Sequence, residues 1–401
     1  MTTSLPDYPP LFLRRGEDKR LRAGHLWVFS NEVDTKRSPL DKFAAGDPVT
    51  ILDAGGHAVG SGYINPASLI CARLLDRGCR PLDRSLLVHR LNVALSLRER
   101  IYSEPYYRLL FGESDGVPGL TVDRFGDVLV AQATSAGMER LKDVVVDALT
   151  AALKPAAIVW KNDSSAREIE GLPSYVEIAA GELPERVSVR EAGLQFSIDI
   201  VGGQKTGWFY DQRSNREAMT PWVKGARVLD LFSYVGAWGL RAAQAGATEV
   251  TCVDSSAEAI AAVLGNAADN GLADKVRAER SDVFEFLKAA RAQRERWDVV
   301  IVDPPAFVKK RKDFKQGSLG YRRLNEAAMQ LLAKDGLLVT ASCSYHMGRP
   351  ALLEAINAGG RHLDRQVQVL SQLQQSPDHP IQAAIPETDY LKGYICRVLP
   401  V

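Results

Sequence analysis

Apolar residues recur in short alternating runs over residues 10–80, broken by glycine-rich turns. Residues 48–53 and 58–64 flank Ala54-Gly55-Gly56-His57, and alternating segments on either side of such a turn predict a hairpin. A small β-rich domain is expected here. Residues 81–190 change character. The pattern predicts a helix over 83–101, a hairpin over 119–132 that turns near Gly126-Asp127, an amphipathic helix over 136–153 and a strand over 158–161, an α+β order. From about residue 190 strands and helices alternate. Strands are expected at 228–232, 249–254, 276–281, 299–303 and 337–341, with helices at 237–245, 257–270, 283–291 and 325–333. That alternation implies βαβ units and a mostly parallel, doubly wound α/β sheet. The expected domains are 1–78, 79–190 and 191–401.

A length of 401 residues agrees with two or three domains. The net charge of +1 requires any polyanion-binding surface to be local. The five cysteines form no CxxC pair and no metal-ligand spacing, so no metal site is expected. The odd, scattered set predicts reduced thiols in a cytoplasm. Met1-Thr2-Thr3-Ser4-Leu5 begins no basic stretch followed by an apolar core, so neither a signal peptide nor a membrane span is expected.

Candidate chemistry gathers at predicted strand ends. Val228-Leu229-Asp230-Leu231-Phe232 runs into Ser233-Tyr234-Val235-Gly236-Ala237-Trp238-Gly239 and then a helix. In open α/β sheets, ligands bind beyond the carboxyl ends of the strands. Asp254 ends the next strand, where an acid can accept from ribose hydroxyls, with Ser255 beside it. Asp282 follows the third strand, positioned for an adenine amino group, with Val283 beside it. Asp303 ends the fourth. A nicotinamide site would prefer G-x-G-x-x-G, so that backbone can approach a pyrophosphate; here only Gly236 and Gly239 are present. The carboxylate of Asp230 would repel a pyrophosphate but suits the ammonium of S-adenosylmethionine. One acid at a strand end is ordinarily a loop residue or a helix cap, and Asp254-Ser255-Ser256 has the composition of a cap. Four at successive strand ends favour the cofactor. The expected contacts are Asp230, Phe232, Ser233, Tyr234, Gly236, Asp254, Ser255, Asp282, Val283 and Asp303.

Cys343 follows the apolar run Leu337-Leu338-Val339, between Ser342 and Ser344. A cysteine at a strand end is commonly a small buried hydrophobe, but this position lies at the expected mouth of the sheet. A thiolate there suits methylation of a carbon. Cytosine C5 is not nucleophilic until a thiolate adds to C6, a covalent solution. Asp303 is then placed to hydrogen-bond the N3/N4 edge of the base. Cys71, Cys79, Cys252 and Cys396 have no comparable setting and read as structural.

Lys309, Lys310, Arg311, Lys312 and Lys315, then Arg322 and Arg323, follow Asp303-Pro304-Pro305 with only Asp313 between them. A charge run is usually a solvated loop, but beside the expected chemistry it suits RNA phosphates. A second basic set, including Arg22, lies in the N-terminal β-rich part and is diluted by Glu17 and Asp18. Trp27 reads as core.

The whole chain resembles bacterial 23S ribosomal RNA 5-methylcytosine methyltransferases of the three-domain type. The matching stretches are Leu21 to Phe29, Glu113-Ser114-Asp115-Gly116-Val117-Pro118-Gly119-Leu120, Lys205 to Arg213, Phe232 to Gly236 and Asp303-Pro304-Pro305-Ala306-Phe307. Ser342-Cys343-Ser344, Asp378-His379-Pro380 and Tyr390-Leu391-Lys392-Gly393 follow. The resemblance implies a PUA domain, a central α+β domain and a Rossmann-like class I methyltransferase domain. It implies Cys343 as nucleophile and closure of the Lys205–Arg213 segment over the cofactor, with Phe209 and Gln212 as contacts. It also implies 23S RNA or an assembling large subunit as partner, and suggests a homodimer. Ala306 stands where better-known relatives carry a second, product-releasing cysteine, so the base that removes the C5 proton is unassigned. The family's frequent lysine after the two prolines is also absent.

Two other classes compete. Guanine N-methylation uses similar Asp-Pro-Pro loops but needs no thiol, so Cys343 argues against it. A non-catalytic RNA-binding or assembly factor would have no need of Asp230, Asp254, Asp303 and Cys343 together.

Overall fold

Asp83 sits in extended backbone and its carboxylate accepts the Leu86 amide at 3.0 Å, which starts the helix Arg84–Ile101. The computed structural model describes residues 6–203 and 206–401. Gln204, Lys205 and the first five residues therefore lie outside the described residues. The chain folds into two units. The first comprises Met1–Val187, Asp199–Trp208 and Pro377–Thr388; the second comprises Ser188–Ile198, Phe209–Ser376 and Asp389–Val401.

The first unit holds two five-stranded sheets. One orders its strands Pro10–Phe12, Asp47–Leu52, Ala58–Ile64, Ile70–Asp76, Trp27–Phe29, and includes the expected hairpin around Gly55-Gly56. The other orders Tyr175–Gly181, Ala157–Asn162, Val128–Ala133, Leu120–Phe125, Tyr106–Phe111. Leu86, Leu91, Val145 and Leu149 share a core with that second sheet. The helix expected over 136–153 is two pieces, Ala136–Arg140 and Lys142–Leu153. Trp27 is half-buried, with its indole N–H on Glu113 at 2.9 Å. The segment around Asp378 belongs to this unit although it is distant in sequence. The fully buried Arg98 guanidinium grips both carboxylate oxygens of Asp115 and donates to the Asp378 carbonyl at 2.7 Å. The Asp378 carboxylate in turn accepts the Arg108 amide at 2.9 Å and meets His379 Nδ1 at 2.9 Å.

The second unit is built on seven strands: β1 (Arg227–Leu231), β2 (Glu249–Asp254), β3 (Val276–Arg280), β4 (Trp297–Val302), β5 (Leu332–Ser342), β6 (Arg365–Gln374) and β7 (Lys392–Pro400). Their order is 3-2-1-4-5-7-6. Strands β1 to β5 are mutually parallel; β7 runs antiparallel to both β5 and β6. A short helix, Arg213–Met219, precedes the sheet, and the helices after β1 are α1 (Ala237–Gln244), α2 (Ala257–Asp269), α3 (Val283–Ala292), α4 (Phe314–Gln330) and α5 (Arg349–His362). The doubly wound sheet is as expected. The strand order reverses between β1 and β4, which opens a crevice at their carboxyl ends.

Helix α4 differs from the expectation over 325–333: it begins eleven residues earlier, and Leu332 and Ala333 already belong to β5. Its first half is masked in the sequence by basic residues and by Gly317. A side chain at Gly317 would meet Val308 Cγ2 at 2.4 Å and the Phe307 carbonyl at 2.7 Å. The glycine is there so that α4 can press against the loop that follows Asp303.

Candidate active site

The loop leaving β1 is strained. Phe232 and Tyr234 hold φ of 62° and 48°, followed by Gly236 at 85°. Left-handed backbone at non-glycine residues costs on the order of 1–3 kcal/mol each and concentrates at functional sites. The strain is held by fixed partners. The Ser233 amide donates to the Val253 carbonyl at 3.0 Å, the Tyr234 amide to Asp254 Oδ2 at 2.9 Å, and Asn266 Nδ2 to the Val235 carbonyl at 3.1 Å. Gly236 and Gly239 serve packing. A Cβ at Gly236 would meet Leu240 Cδ1 at 2.8 Å; one at Gly239 would meet Cys252 Sγ at 2.5 Å and Asp230 Oδ2 at 3.2 Å.

Asp230 is fully buried. Its Oδ2 accepts the Gly239 amide at 2.9 Å, while Oδ1 has no partner among the described residues. Burial pushes its pKa up to about 8, against the pull of that amide. A buried acceptor without a donor is costly. A proton or a ligand's cationic donor completes it, which fits the ammonium of S-adenosylmethionine. Asp254 Oδ1 accepts the Ser256 amide at 3.0 Å, and the cap of α2 is Ser256, not Asp254. Each Asp254 oxygen keeps a second lone pair for a ribose hydroxyl. Ser255 is exposed on the rim. Asp282 caps α3, accepting the Phe284 and Glu285 amides at 2.9 and 3.2 Å, and the Val283 side chain lies in the core. Helix capping therefore accounts for Asp282 as well as an adenine contact would.

Asp303 is the first residue past β4. Gln212 Nε2 donates to both its oxygens at 2.9 and 3.0 Å, and Trp238 Nε1 donates to Oδ2 at 3.1 Å. Gln212 is itself oriented by Asn215 Nδ2 at 2.6 Å. Phe209 meets the Tyr234 ring edge-on, centroids 5.5 Å apart. Phe209 and Gln212 are thus brought to the β1 loop and to Asp303. Behind them, Arg216 is locked to Glu191 at 2.5 Å in a buried ion pair.

Cys343 is the first residue past β5, on the strand adjacent to that of Asp303 (Val302 pairs with Thr340). It is half-buried, whereas Cys71, Cys79, Cys252 and Cys396 are buried. Burial raises those four thiols, Cys71 and Cys396 to about 12. The flanking serines are pinned to α4. Ser342 Oγ donates to the Tyr321 hydroxyl at 2.8 Å, which meets Ser344 Oγ at 2.9 Å, and Ser344 Oγ accepts the Val308 amide at 3.1 Å. One hydroxyl cluster therefore holds the Cys343 turn and the Asp303 loop together. Lys392, at the start of β7, donates to the Ser344 carbonyl at 2.7 Å.

Sequence reasoning missed Trp238, Tyr321 and the role of Lys392. Trp238 read as an apolar position of a helix, and Tyr321 fell outside the helix expected over 325–333. A lysine opening the apolar run Gly393-Tyr394-Ile395-Cys396 was the one available signal.

Lys309, Lys310, Arg311 and Lys312 are all exposed, immediately after Val308. Arg22 differs, since its guanidinium is engaged by Asp18 at 2.6 Å and Asp53 at 3.1 Å. Its charge is already balanced, which weakens it as a phosphate contact.

The sheet order, the strained β1 loop and the acids at the strand ends define a methyltransferase that uses S-adenosylmethionine. The family of S-adenosylmethionine-dependent methyltransferases matches residues 139–386, and a PUA-like domain matches 11–77. Full-length relatives narrow this further. The chain is 36% identical over 404 residues to ribosomal RNA large subunit methyltransferase I of Photobacterium profundum, covering 99% of this chain and 100% of that protein. It is 38% identical over 407 residues to the protein of the same name from Klebsiella pneumoniae, covering 100% of each. The chain belongs to the ribosomal RNA large subunit methyltransferase I family. A Streptococcus mutans structure described as a SAM-dependent methyltransferase candidate shares the fold, with a TM-score of 0.82 at 22% identity over 97% of this chain and 100% of that one. Another methyltransferase structure, complexed with SAH, matches with a TM-score of 0.83 at 22% identity and the same coverage. No helix among the described residues is long and apolar enough to cross a membrane.

Proposed function

We propose that this enzyme methylates C5 of a cytosine in 23S ribosomal RNA through a covalent Cys343 adduct. The observation that carries the reading is the half-buried thiol of Cys343 one residue beyond β5, on the strand next to Asp303. S-adenosylmethionine, when bound, supplies an electrophilic methyl group. Asp230, Asp254 and the 232–236 loop hold that cofactor in this reading, with Phe209 beside Tyr234. The Cys343 thiolate adds to C6 of the cytosine, and the electron pair displaced onto the ring makes C5 nucleophilic. Asp303 accepts from the base's amino edge while Gln212 and Trp238 keep its carboxylate in place. C5 takes the methyl group, with S-adenosylhomocysteine as the leaving group; loss of the C5 proton then restores the ring double bond and expels the thiolate from C6. The target base has to leave its stack to reach this turn, and Lys309 to Lys312 contact the flanking phosphates. The domains in this reading are a PUA-like RNA-binding domain over 1–78, a central α+β domain over 79–190 and the methyltransferase domain over 191–401, apart from the segments Asp199–Trp208 and Pro377–Thr388 that group with the first unit, with the enzyme acting in the cytoplasm.

The test is transfer from labelled S-adenosylmethionine to undermethylated 23S RNA by wild type and Cys343→Ala, with the nucleoside identified by mass spectrometry. 5-Methylcytidine from wild type alone supports the reading. A methylated guanosine, or equal activity in both proteins, overturns it.

A further inference from the structure

Lys392 is a buried cation that the mechanism above does not use. It is 4% exposed, it opens β7, and its register partner across the ladder is Ser342, the residue before the thiol. Its Nζ reaches past that pair to the carbonyl of Ser344, the residue after the thiol, at 2.7 Å. Lys392 therefore brackets Cys343 from both sides along the chain. An ammonium has three N–H donors, and this carbonyl takes one. Among the described residues no carboxylate forms an ion pair with Lys392. The charge of the exposed Asp389 acts on it only from beyond ion-pair distance. A buried charge with no counter-ion in contact is expensive, so its persistence asks which partly or fully buried group nearby can become an anion. Ser342, Tyr321 and Ser344 are neutral hydroxyls already bonded to one another. Besides the exposed Asp389, Cys343, which lies between them, is the acidic group whose charge also acts on Lys392.

We infer that Lys392 is the positioning cation for the nucleophile: it fixes the Ser344 carbonyl, and its charge favours the thiolate of Cys343 over the thiol. The inference rests on the reading of Cys343 as nucleophile and goes beyond it by naming what activates the sulfur. Ionisation releases the thiol proton to solvent while Lys392 stays an ammonium, so charge balances within the site. The electrostatics agree. Burial lowers Lys392 to about 8, opposed by Asp389 and by Cys343, while the Arg349 guanidinium adds to the lowering. Those are the charged groups that face it, from the 389 turn, the end of β5 and the start of α5. At neutral pH the ammonium form is the major one, and the two titrations are coupled.

The experiment is the pH dependence of iodoacetamide alkylation of the full-length protein, read at Cys343 by mass spectrometry, with Cys343→Ala as the blank for the four buried thiols. In wild type the midpoint is expected below the ordinary thiol value of about 8.5. Lys392→Met is expected to raise it by about one unit, which slows alkylation at pH 7 by about tenfold; Lys392→Arg is expected to keep it low. A wild-type midpoint at or above about 8.5, or a Lys392→Met profile that overlays wild type, overturns the inference. The first of these needs no variant, so a folding defect in Lys392→Met leaves the idea testable. Alkylation involves neither RNA nor cofactor. If Cys343→Ala still transfers methyl groups, the covalent reading fails whatever the alkylation profile shows.

Discussion

Gln212 presents its side-chain amide to both carboxylate oxygens of Asp303, at 2.9 and 3.0 Å. With Trp238 at 3.1 Å this makes three donor contacts on one carboxylate, from two elements that sequence distance does not connect. A hydrogen bond to a charged group contributes roughly 1.5–3 kcal/mol. Gln212→Ala should therefore lower kcat/KM for methyl transfer by about tenfold or more, and should lower Tm as well, because Gln212 is 3% exposed and its removal orphans the buried Asn215 amide. Gln212→Glu should be worse, since it sets a second carboxylate against Asp303. Steady-state kinetics with thermal melts of both variants check this, and a Glu variant as active as wild type would contradict it.

Asp254 connects the cofactor loop to the next strand through the Tyr234 and Ser256 amides. Asp254→Ala should weaken S-adenosylmethionine binding by roughly 1.5–3 kcal/mol through lost charge-assisted hydrogen bonds. It should also loosen the left-handed Tyr234, whose amide the carboxylate holds. Calorimetric titration with cofactor is the measurement; unchanged affinity would remove Asp254 from the ribose site.

The exposed run Lys309 to Lys312 begins beside Val308, whose amide is tied to Ser344. Replacing all four by glutamine should weaken RNA binding and flatten its salt dependence. Each lost phosphate contact reduces the slope of log K against log salt by about 0.7–0.9. The slope is read from filter binding across a salt series, and a slope identical to wild type would mark the run as a solvated loop. The same series with Arg22→Gln should show no change, because Asp18 and Asp53 already balance that charge.

Acids at the ends of apolar strands were legible in the sequence because burial and alternation leave few other places for them. Asp230, Asp254 and Asp303 were found that way, and Cys343 by its place after Leu337-Leu338-Val339. What local pattern cannot carry is the partner across the fold. Trp238 read as an apolar helix position and Tyr321 lay outside the expected helix, and only the folded chain shows the indole N–H on Asp303 and the phenol between two serines. Asp282 has the same local signature as cap or as ligand, and the structure shows the cap. The first half of α4 was lost because Gly317, a close-contact residue, weakens the helical pattern. The grouping of Pro377–Thr388 with the first unit rests on bonds such as Arg98 to the Asp378 carbonyl, 280 residues apart in sequence, for which no sequence period exists.

Asp230 makes a prediction whose sign follows from its burial. Its pKa in the folded protein is pushed up to about 8 by desolvation, with the charges of Asp303 and Asp254 adding to the effect, whereas in an unfolded chain an aspartate titrates near 4. Between those values the folded state holds a proton that the unfolded state has released. The stability this group contributes is therefore complete below about pH 4 and is lost as pH rises towards about 8. Asp230→Asn keeps an acceptor for the Gly239 amide and cannot ionise. Without cofactor, the variant's Tm relative to wild type should rise from pH 5 to about pH 8 and level off by pH 9, by at least a few degrees across that range (about 2–4 °C per kcal/mol for a domain of this size). Taking the difference between the two proteins cancels the other titrating groups. Saturating S-adenosylmethionine should reverse the order, because its ammonium stabilises the ionised Asp230 and finds only an amide in the variant. Thermal melts of both proteins over that pH range, with and without cofactor, are sufficient. A difference in Tm that does not vary with pH would mean that Asp230 is ionised in the folded protein throughout, and that a donor other than the cofactor satisfies its Oδ1.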